Sequence, residues 1–99
     1  MDSLTEITDA KIEKYLDTTK RAFEKLQKVT PDPSWNNRMA DDFLRMAESY
    51  YADAQDFRSK GDHVNAFACV NYAHGWLDAG ARLGFFDVGQ DDVLFTILE

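Results

Sequence analysis

A chain of 99 residues can build one hydrophobic core but leaves no room for a separate catalytic domain. Its 44% hydrophobic and 13% aromatic content is typical of a folded domain and excludes a disordered chain. The 18 acidic and 11 basic residues give a net charge of -7, which argues against nucleic acid as a partner because acidic surfaces repel phosphate backbones.

Cys69 is the sole cysteine, so the sequence excludes an intrachain disulfide and a cysteine-rich zinc site. The N-terminal stretch MDSLTEITDAKIEK lacks the basic and apolar regions of a secretion signal. The longest stretch without Asp, Glu, Lys or Arg runs over residues 63–77, which is too short and too polar to span a bilayer. We therefore expect a soluble cytoplasmic protein without membrane contact.

A first helix is predicted from about residue 9 to residue 29. Its apolar stripe, with alternating spacings of four and three, consists of Ile12, Leu16, Thr19, Phe23 and Leu26. Thr8 is a suitable N-cap. Pro31 and Pro33 are expected to end the helix, because proline lacks the backbone donor and disfavours helical geometry at the preceding residue.

A second helix is predicted from about residue 35 to residue 60, with Ser34 as its cap. Its apolar side is formed by Trp35, Met39, Phe43, Met46, Tyr50, Ala54 and Phe57. Gly61 follows where helices commonly end on a left-handed residue. Charged side chains occupy the opposite side, as in a helix that packs on one face only.

A third helix is predicted from about residue 63 to residue 83, capped by Asp62 and closed by Gly84. The short turn makes the second and third helices an antiparallel hairpin. Residues 85–99 are expected to form an ordered tail or a short helix that covers exposed core, since a strand there would lack a partner. The predicted fold class is all-α: one domain, an up-and-down three-helix bundle with a C-terminal tail packed on it.

The outer side of the third helix carries little charge. A strip of small side chains, hereafter the small-residue strip, consists of Val64, Ala68, Gly75 and Ala79. A solvated helix would place Lys and Glu there, and Gly75 costs up to about 1 kcal/mol relative to alanine. The strip therefore predicts close contact with another segment, which could be the chain's own tail, a second copy or a different partner.

Beside the strip lies a row of polar side chains, hereafter the polar row: Asn71, His74, Asp78 and Arg82. Asp78 is spaced four residues from both His74 and Arg82, so its carboxylate can face either. One interpretation is an acid–base histidine oriented by Asp78, with Arg82 binding an anion. The preferred interpretation is a structural network that fixes the helix to its neighbour, and no catalytic residue is assigned.

Other chemical signals are weak. Arg58 and His63 have the R-x4-H spacing of HEPN-type ribonucleases, whose Arg and His act on the phosphodiester, but so loose a pattern often arises by chance. The acidic pairs lack EF-hand spacing, and the two histidines are too far apart to share a metal. Without a phosphate-binding loop or dinucleotide fingerprint, neither a metal nor a cofactor is predicted.

The stretch GDHVNAFACVNYAHGWLDAGARLGFFDV, from Gly61 to Val88, resembles a small archaeal family known only as a domain of unknown function. The resemblance extends from about Ile12 to Val88. It implies a compact three-helix bundle from an archaeon, cytoplasmic, with no established activity, cofactor or substrate.

Together these features favour a non-enzymatic helical interaction module. It would bind a protein partner, or a second copy of itself, through the small-residue strip and the polar row. The alternative is a HEPN-like RNA-processing activity or the binding of a small ligand.

Overall fold

The structure is a computed structural model that describes residues 6–89, 91 and 93–95. In chain order its elements are α1 (Asp9–Lys25), β1 (Gln27–Lys28), α2 (Trp35–Ser59), α3 (His63–Arg82) and β2 (Phe86–Asp87). The predicted all-α, three-helix fold is confirmed. Helix α3 is the central element, because it packs closely against α2 and also against α1, whereas α1 and α2 share a smaller contact.

The helix starts follow from local sequence. The side chains of Thr8, Ser34 and Asp62 each accept a hydrogen bond from the backbone N–H three residues later, at 3.0–3.1 Å. These bonds satisfy amide groups that have no partner within the helix. All three predicted N-caps are therefore confirmed.

The ends of α2 and α3 share one motif. Gly61 and Gly84 have φ of +77° and +81°, which a residue with a side chain adopts only at a cost. At each end the glycine N–H bonds the carbonyl three residues back, and the next N–H bonds the carbonyl five residues back. This is the Schellman arrangement, which satisfies the last carbonyls of a helix.

The end of α1 was predicted wrongly. The helix stops at Lys25, four residues short of the expected residue 29, and Leu26 is extended with ψ of 149°. The following residues form β1, which pairs antiparallel with β2, and Val29 N–H donates to the Phe85 carbonyl at 3.0 Å. Residues 27–29 thus exchange helical hydrogen bonds for bonds to the tail. The expectation that a strand in the tail would lack a partner was also wrong.

The core consists of two clusters. The first, the tail cluster, combines α1, α2, α3 and the tail; its buried members are Ala22, Ala40, Ala47, Leu77, Phe85, Phe86, Val88, Leu94 and Phe95. The second, the hairpin cluster, comprises Ile12, Leu16, Ala54, Ala66 and Val70. Trp35 belongs to neither: it was placed on the apolar side of α2, but it is 70% exposed at the first turn.

The described part of the tail is ordered against the core, as expected. Beyond β2, the Asp91 carboxylate accepts hydrogen bonds from the N–H groups of Val93 and Leu94, and the Phe95 N–H donates to the Asp91 carbonyl. This single turn buries the side chains of Leu94 and Phe95. The rest of the predicted tail, residues 90, 92 and 96–99, lies outside the described residues.

Candidate functional site

The small-residue strip lies on the outer side of α3. Val64 is 68% exposed, Ala68 and Gly75 are exposed, and Ala79 is half-buried. Apart from the adjoining residues and backbone of α3 itself, a Cβ added to Gly75 would meet no described atom within 4 Å. Within the part of the chain that the structure describes, the tail therefore does not cover the centre of the strip.

The polar row divides into two outer and two inner residues. Asn71 and Arg82 are exposed, and the Asn71 amide nitrogen donates to the Phe67 carbonyl of the same helix at 3.0 Å. His74 and Asp78 are half-buried toward α1. His74 and Asp78 lie 3.9 Å apart, whereas Arg82 is exposed in the last turn of the helix.

His74 connects three segments of the chain. Its Nδ1 lies 3.0 Å from the Thr19 hydroxyl of α1, and its Nε2 lies 2.6 Å from the Leu94 carbonyl oxygen of the tail. A carbonyl oxygen can only accept, so Nε2 carries a proton. In the neutral imidazole, Nδ1 then accepts from the Thr19 hydroxyl, and both ring nitrogens have partners.

The contact between His74 and Asp78 is longer than a hydrogen bond. The distance from Nε2 to the nearer carboxylate oxygen is 3.9 Å, whereas the bond from Nε2 to the Leu94 carbonyl is 2.6 Å. An acid–base dyad would need a direct hydrogen bond between imidazole and carboxylate and a second ring nitrogen open to substrate. The observed geometry instead suits a histidine that holds the tail against α1 and α3.

Sequence reasoning missed Thr19 and Leu94 as the partners of His74. Thr19 is only 2% exposed and lies one turn from both Leu16 and Ala22, at the level where the two core clusters meet. The available signal was a hydroxyl within an otherwise apolar stripe, since a buried hydroxyl needs a hydrogen-bond partner. Leu94 left no such signal, because it contributes a backbone carbonyl.

A groove of about 250 Å³ lies between α1 and α3 next to His74. It is lined by Tyr15, Thr18, Thr19, Asn71, His74, Gly75 and Asp78. Among the described residues no lysine or arginine side chain lines it, so these residues provide no cation for an anionic ligand.

Arg58 and His63, which have the spacing of HEPN-type ribonucleases, both lie next to the start of α1. The Arg58 guanidinium binds the Asp9 carboxylate through two hydrogen bonds of 2.9 Å, and His63 Nε2 lies 3.9 Å from the same carboxylate. Hydrogen bonding to Arg58 lowers the pKa of Asp9, and the same bond raises the pKa of Arg58. Asp9 therefore occupies the position that a phosphate would have to take.

The edge of the strip that faces α2 is aromatic. The Tyr72 ring, on a side chain that is 53% exposed, packs edge-on against Tyr50 with centroids 4.5 Å apart. A shallow depression of about 290 Å³ is lined by Tyr50, Ala68, Cys69 and Tyr72.

Cys69 is partly buried in this depression. Burial, with smaller contributions from nearby carboxylates, raises the pKa of the Cys69 thiol. The thiol therefore behaves as a protonated packing residue rather than as a nucleophile.

Two further observations concern the described residues as a group. Their His, Cys, Asp and Glu side chains form no group of three that could hold a metal ion. None of their helices is long and apolar enough to cross a membrane.

A family model described as a protein of unknown function, DUF357, matches residues 14–86, which is more than half of the chain. The chain belongs to the DUF357 family. The match confirms the resemblance to a domain family of unknown function. No curated protein and no solved structure matches the chain.

The DUF357 region includes most of α1, all of α2 and α3, and ends within β2. It therefore contains the small-residue strip, the polar row and the groove. Leu94 and Phe95 lie beyond the matched region, so the Leu94 bond to His74 joins a DUF357 residue to a segment outside the match.

Proposed function

We propose that this DUF357 chain is a helical protein-interaction module that binds its partner through the outer face of α3. This face, hereafter the docking face, comprises the small-residue strip with the exposed Tyr72 and Leu83. The observation that carries the proposal is the exposure of Val64 and Tyr72 on α3 and of Leu83 at its C-cap, at 68%, 53% and 59%, on the side of the open Gly75. Exposed apolar side chains grouped on one side of a small protein commonly mark an interaction site.

The charge of α3 supports the same proposal. Asp78 and Arg82 are its only Asp, Glu, Lys or Arg residues, whereas the whole chain carries a net charge of -7. An α-helix that served only to cover the core would present charged side chains to water on this side. A neutral, apolar face loses little solvation when a partner covers it.

The two glycines within α3 give a further argument. Gly80 is required by its own chain, because an added Cβ would lie 2.1 Å from the Phe86 ring. Gly75 has no such neighbour among the described residues, although glycine within a helix costs up to about 1 kcal/mol relative to alanine. Close approach of a partner backbone at Gly75 would offset that cost.

The alternative, a ribonuclease-like activity, would use Arg58 and His63. It would require Arg58 to leave the Asp9 carboxylate, which binds it bidentately. A small-ligand function would use the groove beside His74. No specific contact among the described residues favours either alternative over the docking face.

Site-specific photo-crosslinking in cells tests the proposed function. A photoreactive amino acid at Val64, on the rim of the docking face, should yield covalent adducts with a second polypeptide. The same amino acid at Ala52, an exposed position of α2, provides the matched control. Adducts at Val64 that do not exceed those at Ala52 would contradict the proposal.

A further inference from the structure

We infer that the partner is a second copy of this chain, with the two α3 helices packed antiparallel about a twofold axis that passes between Asn71 and Tyr72. This inference rests on the proposed function and names the occupant of the docking face. It is carried by three features of α3 and its N-cap: the symmetry of the small-residue strip, the size of its central side chains and the position of the charges at the two ends.

The small-residue strip is symmetric in sequence. Its four members are separated by four, seven and four residues, so the midpoint of the strip falls between positions 71 and 72. An antiparallel helix pair with its axis at that point places Val64 opposite Ala79 of the second copy, and Ala68 opposite Gly75. A twofold interface requires such self-complementarity, because the same patch contributes from both subunits.

The centre of the strip permits close backbone approach. Ala68 and Gly75 lie seven residues apart, which is about two turns, so both fall on one line of the helix surface. Both are exposed, and the space around Gly75 is open among the described residues. The larger apolar side chains of Val64, Tyr72 and Leu83 surround this line and would contribute most of the buried area.

The charges at the ends of α3 are complementary in the same register. Arg82, exposed in the last turn, falls opposite Gly61 and next to Asp62 of the second copy. The Asp62 carboxylate already accepts two bonds from Asn65, and each carboxylate oxygen retains acceptor capacity. Two equivalent Arg82–Asp62 contacts would close the two ends of the interface. A parallel arrangement would instead bring Arg82 near Arg82 of the second copy.

The oligomeric state in solution tests the choice of partner. Light scattering over a concentration series should show a monomer–dimer equilibrium for the full chain. Gly75→Leu should weaken dimerisation at least about tenfold, because the added side chain separates the two backbones. Ala52→Leu, which places the same side chain at an exposed site of α2, should leave the dimerisation constant unaltered. Circular dichroism should show that both variants are folded. A dimer that resists Gly75→Leu, or a chain that stays monomeric, would overturn the inference.

Disulfide trapping tests the register. In a Cys69→Ala background, a mixture of the single variants Ala68→Cys and Gly75→Cys should form mainly the mixed disulfide, because only opposed residues reach the Cα separation of about 4.4–6.8 Å that a disulfide needs. A preference for the two symmetric disulfides would indicate another arrangement and overturn the antiparallel pairing.

The other possible occupants give distinct results. If the last residues of the chain cover the docking face, deleting residues 96–99 should convert a monomer into a dimer, which would contradict the inference for the full chain. If the Val64 adduct contains a different protein and the chain is monomeric, the proposed function stands and the inference fails. If Val64 yields no adduct above Ala52 and the chain is monomeric, both fail.

Discussion

The two glycines of α3 illustrate how one residue type serves two purposes in one helix. Gly80 is buried, and its missing side chain leaves room for the ring of Phe86, which is 3% exposed in β2. Gly75 is exposed and touches no described residue that would exclude a methyl group. The first glycine is explained by folding, whereas the second is explained by the proposed interface.

We expect Gly80→Ala to lower the free energy of unfolding by about 1–3 kcal/mol, because the new methyl group must displace a buried ring. Gly75→Ala should raise it by up to about 1 kcal/mol, since alanine favours the helix and finds open space. Urea unfolding at a protein concentration too low for self-association measures both. Equal changes in the free energy of unfolding would contradict the difference in free space around Gly75 and Gly80.

His74 is the other residue whose environment determines its role. We expect His74→Ala to lower the free energy of unfolding by about 1–3 kcal/mol, because it leaves the buried Thr19 hydroxyl and the Leu94 carbonyl without their partner. Asn71→Ala, one turn earlier and exposed, should change it by no more than about 0.5 kcal/mol. Denaturant titration measures the free energy of unfolding of both variants. A His74→Ala variant as stable as Asn71→Ala would contradict a structural role for His74.

At the scale of elements, some helix boundaries are determined by neighbouring residues and one is determined by a tertiary contact. The starts of all three helices and the ends of α2 and α3 are set by caps and glycines within a few residues, and the sequence predicted them. The end of α1 depends on β2, almost sixty positions later, so no local signal marked it. The bond between His74 and Leu94 was unpredictable for the same reason, because it joins a side chain to a distant backbone carbonyl.

The same distinction between local sequence and tertiary packing applies to the candidate site on α3. Periodicity separated Val64, Ala68 and Gly75 from the face of α3 that packs on the core, and the structure places all three on the exposed side. It could not say that His74 and Asp78 turn toward α1, because that depends on how α1 packs.

The contact between α1 and the end of α2 depends on charge. Hydrogen bonding to Arg58 lowers the pKa of Asp9 in the folded chain. A folded-state pKa below the unfolded one means that the pair stabilises the fold at neutral pH, and that this contribution is lost as the pH falls through the lowered value.

Arg58→Gln should therefore raise the pKa of Asp9 toward its ordinary value, and the acid unfolding midpoint should move to higher pH. Carbon-detected NMR titration of the Asp9 carboxyl group measures the first effect, and circular dichroism measures the second. Lys60→Gln is the control: Lys60, the C-cap of α2, pairs with Asp56, so its substitution should leave the pKa of Asp9 unchanged. An unchanged Asp9 pKa in Arg58→Gln would contradict the pairing.

At the scale of the whole molecule, the tail is part of the core. Phe85, Phe86, Val88, Leu94 and Phe95 all belong to the tail cluster, together with residues from the three helices. The three helices alone would leave this end of the bundle open to water. Among the buried members of this cluster, Leu77 is the one large apolar side chain from a helix, and the tail supplies the others. Partly buried helix residues such as Phe43 and Trp76 pack around them.

We expect Phe95→Ala to lower the free energy of unfolding by about 3–5 kcal/mol, as removal of a buried phenylalanine side chain usually does. Phe95 is 2% exposed, whereas its near neighbour Val93 is 79% exposed. Val93→Ala should therefore cost no more than about 0.5 kcal/mol. Thermal and urea unfolding compare the two variants. Similar losses for both would mean that the tail does not complete the core.

The pairing of β1 with β2 also bears on the order in which the chain folds. The α2–α3 hairpin closes through a short turn, so its contacts cost little loop entropy, whereas the β1–β2 pair must first bring together two segments almost sixty residues apart. We expect the hairpin to form before the rate-limiting barrier and the β pairing after it. Weakened hairpin contacts would then slow folding, whereas weakened tail contacts would speed unfolding. The tail would thus determine how long the native chain persists once it has formed.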